Sequence, residues 1–331
     1  MMARFVVRRL AFMIFLLAIV SIATFLLFSV LPVDPASLSC GQHCTPEKIA
    51  ANRIRLGYDQ PLINQYFTFM KGIFAGRSYG EGAQAFSCPA PSFGYSYYRG
   101  QCVTEMITNA LPATISLTIG SAIIWLNMGI GLGVIAAINK GKIQDRVSTG
   151  LAIFGLSMPT FFIGLLLIYV FIIWLQIFPF PSYTPFLDNP FKWAQALVLP
   201  WFTVAIVSAA LYTRLTRDGM LETMSEDYVR LAIAKGLPRR KVLVRYVLRG
   251  AITPIVTIAG LDIAVLLGGA IITESVFGLP GMGRLALNSV TDSDLPVIVG
   301  ITLLTAFFVV VANALVDILY ASLDPRVRLE S

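Results

Sequence analysis

The sequence predicts an all-α, polytopic membrane protein with six transmembrane helices. The chain has 331 residues, of which 56% are hydrophobic and only 13% are charged, whereas about 25% are charged in an ordinary soluble domain. Its mean hydropathy of +0.76 points the same way. The net charge of +7 does not indicate nucleic-acid binding, because the basic residues fall between long apolar segments rather than on one compact face.

Six apolar stretches are each long enough to cross a bilayer, which takes about 20 residues of helix for a hydrocarbon core of ~30 Å. Each is expected to be helical, because unpaired backbone amides find no water in lipid. The first is longer than the h-region of a signal peptide, so an uncleaved span is expected. The predicted spans are residues 10–31, 111–138, 148–175, 194–213, 253–277 and 295–323.

The positions of Lys and Arg predict the orientation, because cytoplasmic loops carry an excess of basic residues. Residues 214–250 hold nine of them, whereas the short loops on the other side hold only Lys192 and Arg284. Both termini are therefore predicted to be cytoplasmic. The predicted organisation is an N-terminus with the first helix (1–33), an external segment (34–105), a five-helix core containing the cytoplasmic loop 214–250 (106–323) and a cytoplasmic tail (324–331).

All four cysteines lie in the external segment, in a compartment where disulfides persist. Of the three possible pairings, we favour Cys40–Cys44 with Cys88–Cys102, because short loops close at the least entropic cost. A metal or haem site is the alternative, since His43 lies between the first two cysteines. Its order matches neither a two-Cys zinc knuckle nor a haem attachment motif. No metal site is therefore predicted.

The part of this segment at residues 72–100 is rich in Gly, Ser, Pro and Tyr, which predicts a disulfide-stapled loop rather than a helix. Its aromatic residues fit two interpretations equally well. They are typical of a belt at the membrane interface, and Tyr is also enriched where proteins bind each other, so a receptor contact stays open.

The cytoplasmic loop carries an ordered pattern of an acid, an apolar face, a glycine and a proline. A helix is predicted from Asp218 to Lys235, with Gly236 ending it in a left-handed conformation and Pro238 preventing its continuation. A second helix is predicted from about Arg239. Contact with anionic lipid would explain the charges but not this order. We expect the loop to receive force from a soluble motor through Glu226, Asp227, Tyr228, Leu231, Ala232, Gly236, Leu237 and Pro238, with Tyr228, Leu231 and Ala232 on one face.

The sequence contains no residues that indicate enzymatic chemistry. It has no G-x-x-x-x-G-K-[ST] phosphate loop, a single histidine, no H-E-x-x-H and no G-x-S-x-G. The chain is therefore predicted to have no catalytic residues and to bind no cofactor. If transport is driven by ATP, we expect another chain to hydrolyse it.

Three acidic residues fall within the predicted spans: Asp262, Glu274 and, in the last span, Asp317. Burying Asp262 unpaired in hydrocarbon would cost several kcal/mol, so it is expected to face a pore or a partner helix. Structural pairing and substrate contact are both compatible with that position. Glu274 is expected to bond the turn that ends at Pro280 and Gly281, in a structural or gating role. Asp262, Glu274, Pro280 and Gly281 are the pore and gating candidates.

These features resemble the B-type permease subunits of dipeptide and oligopeptide ABC importers, a family that includes nickel and glutathione systems. Residues 226–236 match the general importer signature, and the resemblance runs from Arg8 to Arg328. Two features depart from it: the cysteine-bearing external portion and Ile233, where relatives often carry a basic residue. The motifs more specific to the peptide branch are residues 110–117, 157–161, 274–284 and 317–326.

The resemblance implies a type I ABC importer permease fold in a bacterial inner membrane. It implies a second homologous permease subunit, two ATPase subunits or a fused ATPase that hold ATP and Mg, and an extracytoplasmic substrate-binding protein. Membrane lipid is the remaining partner, and nucleic acid is not one. Short peptides are the expected cargo, with nickel, glutathione or haem as alternatives. A secondary transporter would more often show inverted repeats.

Overall fold

The computed structural model describes residues 2–29, 45–56, 59–79 and 86–323. Most of these residues are helical, as the sequence predicted. The helices are α1 (Met2–Ser29), α2 (Pro46–Leu56), α3 (Leu62–Ala75), α4 (Val103–Ile138), α5 (Ile143–Ser157), α6 (Thr160–Trp174), α7 (Pro190–Met224), α8 (Asp227–Ala234), α9 (Arg239–Leu267), α10 (Ile271–Val276), α11 (Met282–Thr291) and α12 (Leu295–Leu323).

Five of these helices, α1, α4, α7, α9 and α12, are long and apolar enough to cross a membrane. A sixth span results if the pair α5 and α6 is counted as one broken span. The prediction of six transmembrane segments is therefore confirmed, although two of them differ in form from the continuous helices that were expected.

The segment predicted as one span at residues 148–175 is a bent pair. Helices α5 and α6 meet at 102°. Pro159 lacks a backbone N–H and its ring disfavours a helical conformation in the residue before it. Met158 is accordingly extended, with φ −94° and ψ 128°. The expectation of a single continuous helix was wrong, because it gave more weight to the apolar length of the segment than to the proline near its centre.

The segment predicted as one span at residues 253–277 is also interrupted. Helix α9 begins at Arg239 and ends at Leu267, and the six-residue helix α10 follows after a break. Within that break Gly269 has φ +123°, a value that L side chains rarely adopt. The backbone at Gly269 packs directly on that of Gly283, so the chain turns inside the bundle instead of continuing outward.

Helices α4 and α7 form the centre of the bundle through a close backbone approach. A Cβ atom added at Gly133 would lie 2.5 Å from Thr216 Cβ and 2.7 Å from the Thr213 carbonyl oxygen. Gly129, one turn earlier, is equally tight against Tyr212. A Cβ at Gly131 would meet nothing within 4 Å. This is the small-residue packing typical of membrane helices.

We expect the substitution Gly133→Ala to destabilise the protein. The added methyl group must displace the backbone of α7, and overpacking of this kind costs about 1–3 kcal/mol. The measurement is the midpoint of thermal unfolding in detergent. The matched control is Gly131→Ala, which adds the same methyl group into open space and should leave the midpoint unchanged or raise it. Equal midpoints for the two variants would contradict this packing.

The external segment contains two short antiparallel hairpins. Strands β1 (Arg77–Tyr79) and β2 (Phe86–Cys88) form one, and β3 (Tyr95–Ser96) and β4 (Gln101–Cys102) form the other. The disulfide Cys88–Cys102 joins them, as the sequence predicted. The expectation of loop alone missed these strands, which are too short to show a periodic pattern. The predicted Cys40–Cys44 bridge and His43 lie outside the described residues.

We expect all four cysteines to be oxidised in the mature protein. Mass spectrometry of an unreduced digest should recover the peptides of Cys88 and Cys102 as one linked species, and the peptides of Cys40 and Cys44 as another. Alkylation before reduction should label no thiol, and alkylation after reduction should label four. Labelling of Cys40 and Cys44 before reduction, or loss of bound metal on chelation, would contradict the second bridge.

Candidate functional site

Residues 214–224, predicted as part of a loop, are the end of α7, and the chain leaves this helix at Ser225. Ser225 Oγ donates a hydrogen bond to the Glu222 carbonyl oxygen at 2.7 Å, and such local bonds compete with continued helix. Glu226 is extended, with φ −68° and ψ 145°, and α8 starts after it. The predicted helix from Asp218 to Lys235 was therefore wrong in being continuous. Helix α8 is therefore a separate element from α7.

The three residues predicted to share one face of α8 differ in their burial. Val229 and Ala232, three residues apart, are 1% and 5% exposed and pack in a cluster with Met220 and Val247. Tyr228 and Leu231 are 46% and 56% exposed. Ala232 therefore belongs to the buried side of the helix, and Tyr228 and Leu231 to its exposed side. Sequence reasoning missed Val229, although its spacing to Ala232 is a helical signal.

The end of α8 is a Schellman motif, which locks the helix onto the next element. Gly236 has φ +71°, and its N–H donates to the Ile233 carbonyl oxygen at 2.9 Å. The Leu237 N–H donates to the Ala232 carbonyl oxygen at 3.3 Å, which completes the motif. Pro238 is extended and precedes α9. The predicted left-handed glycine and the predicted second helix are both confirmed.

An ion pair that sequence reasoning missed holds the neighbouring loop. Arg217 Nε and Nη2 lie 2.7 Å and 3.1 Å from the two carboxylate oxygens of Asp145. The Gly141 N–H donates to the same carboxylate at 2.8 Å. Two-pronged pairs of this kind restrict geometry as well as adding energy. The sequence feature that could have predicted this pair is Asp145, an acidic residue in a loop whose other charged residues are basic. The pair attaches residues 140–146 to the end of α7, close to α8.

A second network surrounds Glu274, which is completely buried. Its carboxylate accepts hydrogen bonds from Thr114 Oγ1 at 2.8 Å, the Ala270 N–H at 3.3 Å and the Arg284 N–H at 2.9 Å. The Met282 N–H donates in turn to Thr114 Oγ1 at 2.8 Å. All of these groups satisfy one another without solvent. The carboxylate therefore ties α4, α10 and α11 together.

The turn after α10 packs onto this carboxylate. The backbone carbonyl of Glu274 accepts from the Leu279 N–H at 2.9 Å, so the predicted bond to the turn exists, although the main chain makes it. A Cβ atom at Gly281 would lie 2.3 Å from Glu274 Cδ, which restricts this position to glycine. Pro280 is exposed. Leu279, which sequence reasoning did not single out, is 1% exposed.

Three motifs that are distant in sequence meet at this place. Thr114 comes from the motif at residues 110–117, and Glu274 from that at 274–284. Gly164, just after the motif at 157–161, lies against Val276 and Phe277. The bend at Pro159 positions α6 for this contact. The separate motifs therefore serve one structural unit.

The external hairpins are fastened to the same side of the bundle. Phe93 packs in a cluster with Val103, Met282 and Val297. Ser96 donates a hydrogen bond to the Asp294 carboxylate. Arg99 pairs with Asp292 at 3.0 Å. Burial raises the pKa of the Asp294 carboxyl above its ordinary value, against the opposing effects of Ser96 and Arg99. The stapled segment therefore contacts α11 and α12 rather than standing free.

The remaining candidate, Asp262, lies on α9. Its Oδ2 accepts a hydrogen bond from the Tyr212 hydroxyl of α7 at 2.7 Å. Tyr212 is completely buried, whereas Asp262 is half-buried. The structure therefore gives it a structural partner and also leaves part of its carboxylate accessible.

The whole chain is similar to known transport proteins. Residues 129–329 match the family described as binding-protein-dependent transport system inner membrane component, and residues 2–118 match its N-terminal counterpart. A putative peptide transport system permease protein of Brucella melitensis biotype 1 is 37% identical over 328 residues, with 99% of each chain covered. The glutathione transport system permease protein GsiC of Escherichia coli (strain K12) is 36% identical over 327 residues, again with 99% of each covered.

A solved structure shares the fold. The inward-facing methionine ABC transporter MetNI has a chain that matches with a TM-score of 0.51 at 15% identity, covering 67% of this chain and 97% of that one. This likeness confirms the predicted permease fold. Together with the full-length relatives, it establishes that the chain belongs to the binding-protein-dependent transport system inner membrane component family, as a multi-pass permease subunit of an ABC transporter.

Proposed function

We propose that this chain forms half of the translocation pathway of an ATP-driven importer of short peptides and is coupled to a cytoplasmic ATPase through residues 226–238. The observation that carries the proposal is the construction of α8. Val229 and Ala232 are packed onto the bundle, while Tyr228 and Leu231 are exposed. The chain is similar over its full length to peptide permeases, and α8 lies in its most basic loop.

The exposed face of α8 supports contact with another protein. Tyr228 is 46% exposed and Leu231 is 56% exposed, and their spacing of three residues places them on one side of a helix of only eight residues. Clustered apolar side chains on a polar loop are typical of interaction sites. Because Val229 and the Schellman motif hold α8 to α9, a push on this face moves the membrane helices.

The proposed cargo is a short peptide. The Brucella relative is named a peptide permease and the E. coli relative a glutathione permease. Glutathione is itself a tripeptide, so it falls within the same chemical class. Nickel and haem do not share this chemistry, and they are secondary candidates.

The proposed complex contains a second homologous permease, ATPase subunits and an external substrate-binding protein. ATP and Mg are assigned to the ATPase subunits, since this sequence has no phosphate-binding loop. The proposed location is the bacterial inner membrane, with both termini in the cytoplasm, because the basic residues concentrate in residues 214–250 and the other loops assigned to that side.

The test is reconstitution of the purified complex in liposomes, with ATP inside, and with binding protein and labelled peptide outside. Uptake should require ATP, the binding protein and both permeases. Accumulation of peptide by this chain alone would instead indicate a secondary transporter. Transport only outward would also refute the proposal.

One substitution tests the coupling helix directly. Leu231→Glu is expected to weaken the association of the ATPase at least tenfold, because a charge replaces an apolar contact near the centre of the exposed face. The measurement is the amount of ATPase that copurifies with the permeases. Leu187→Glu is the matched control, since Leu187 is 92% exposed in the loop between α6 and α7. Equal ATPase recovery from both variants would contradict the assignment.

A further inference from the structure

Asp262, Tyr212 and Trp125 form a polar cluster where three long helices meet. Trp125 and Tyr212 each lie about 33 Å along their helices, α4 and α7, at about 1.5 Å per residue. Their ring centroids are 6.3 Å apart. Trp125 and Tyr212 are completely buried. The cluster therefore lies inside the bundle, in the C-terminal halves of α4 and α7.

The charge of Asp262 is only partly satisfied there. Its Oδ2 accepts from Tyr212 at 2.7 Å, and within the described part of the chain no donor reaches Oδ1. The Trp125 Nε1 atom is buried without an acceptor among these residues. Glu274 differs, since donors satisfy both of its oxygens. A carboxylate in a membrane span normally has a cationic partner or faces a pathway.

No cation for Asp262 comes from the spans of this chain. None of the six predicted spans contains Lys, Arg or His. Between Arg249 and Arg284 the sequence has no basic residue at all. The nearest basic residue along α7, Arg214, is exposed and lies 3.8 Å from Asp218. The remaining sources of a positive charge are a transported molecule, another subunit or a bound proton.

We propose that Asp262 is a cation subsite of the translocation pathway, where its carboxylate binds the ammonium group of a passing peptide. This inference rests on the proposed function. An ammonium group loses hydration as it enters an apolar passage, and a half-buried carboxylate offsets that loss with a charge-assisted hydrogen bond. Tyr212 holds one oxygen, so the other is left for the peptide.

The test compares two cargoes in the reconstituted complex. Trialanine carries an α-ammonium group, and its des-amino analogue has the same shape without it. Each is supplied at a concentration that saturates the binding protein, with occupancy measured separately, so that receptor preference does not enter. The wild-type complex should import trialanine about 10-fold faster or more, the factor expected for a hydrogen bond to a charged group.

The variant Asp262→Asn should reduce this ratio to about 1 through slower uptake of trialanine, while the complex still assembles and still hydrolyses ATP in response to the binding protein. The matched control is Asp188→Asn, which removes an exposed carboxylate from the loop between α6 and α7 and should leave the ratio unchanged.

Several results would overturn the subsite. A wild-type ratio near 1 would do so without any variant. So would a ratio that persists in Asp262→Asn, which would indicate a protonated carboxyl, or loss of assembly in that variant, which would indicate a cation from the partner permease. Failure of the wild type to import either cargo would instead refute the proposed function.

Discussion

Replacing Gly236 by valine is expected to reduce ATP-dependent uptake by a factor of roughly 5 to 30, while the protein still inserts and assembles. Gly236 has φ +71°, and a left-handed conformation costs an L residue about 1–2 kcal/mol. A Cβ here would meet nothing within 4 Å, so the effect comes from the backbone rather than from a clash. The turn can relax only by opening, which withdraws Leu237 from its cluster.

The readout for this prediction is the ratio of peptide imported to ATP hydrolysed in liposomes. Gly236→Val should lower that ratio, because α8 then moves without moving α9. Gly236→Asn is the matched control: it adds a side chain of similar size, but Asn tolerates the left-handed region. The asparagine variant should retain most uptake. Normal coupling in the valine variant would contradict the role assigned to α8.

The helices of this protein were largely predictable from the sequence, because lipid imposes a simple rule of length and apolarity. Residues 295–323 were predicted as a span and are helical over that range. The two interrupted spans were harder. The sequence pairs Met158–Pro159 and Gly268–Gly269 indicated possible breaks. Whether such residues bend a membrane helix depends on whether neighbouring groups form hydrogen bonds with the backbone amides and carbonyls that the break leaves free.

The candidate sites were predictable to the extent that local geometry determines them. The turn at Gly236 follows from short-range preferences and was predicted correctly. The burial of Val229 and Ala232 was not predicted, because it depends on Met220 and Val247, which belong to other helices. The Asp145–Arg217 pair joins residues 72 apart in sequence. A contact between residues so far apart leaves no periodic pattern in the sequence from which it could be predicted. Which of the predicted residues act in transport stays a prediction.

Replacing Glu274 by glutamine is expected to destabilise the bundle. The carboxylate accepts three hydrogen bonds, and the amide nitrogen of glutamine would face a donor such as the Arg284 N–H or Thr114 Oγ1. A buried donor left without an acceptor costs about 1–3 kcal/mol. At about 2–4 °C per kcal/mol, the unfolding midpoint should fall by several degrees.

The matched control for this change is Glu105→Gln, which makes the same replacement at an exposed carboxylate in the first turn of α4. Its unfolding midpoint should stay within error of the wild type. Uptake should fall in Glu274→Gln alone, because the turn at Gly281 packs directly on the altered group.

A double-mutant cycle shows whether the network acts as one unit. Thr114→Val removes the hydroxyl that donates to Glu274 and accepts from Met282, so it should destabilise the protein on its own. Because the two side chains share a hydrogen bond, the loss in Thr114→Val/Glu274→Gln should be smaller than the sum of the single losses, with a coupling of about 0.5–3 kcal/mol. Strict additivity would mean that Thr114 and Glu274 act separately, and α4 would then not be tied to the turn through this carboxylate.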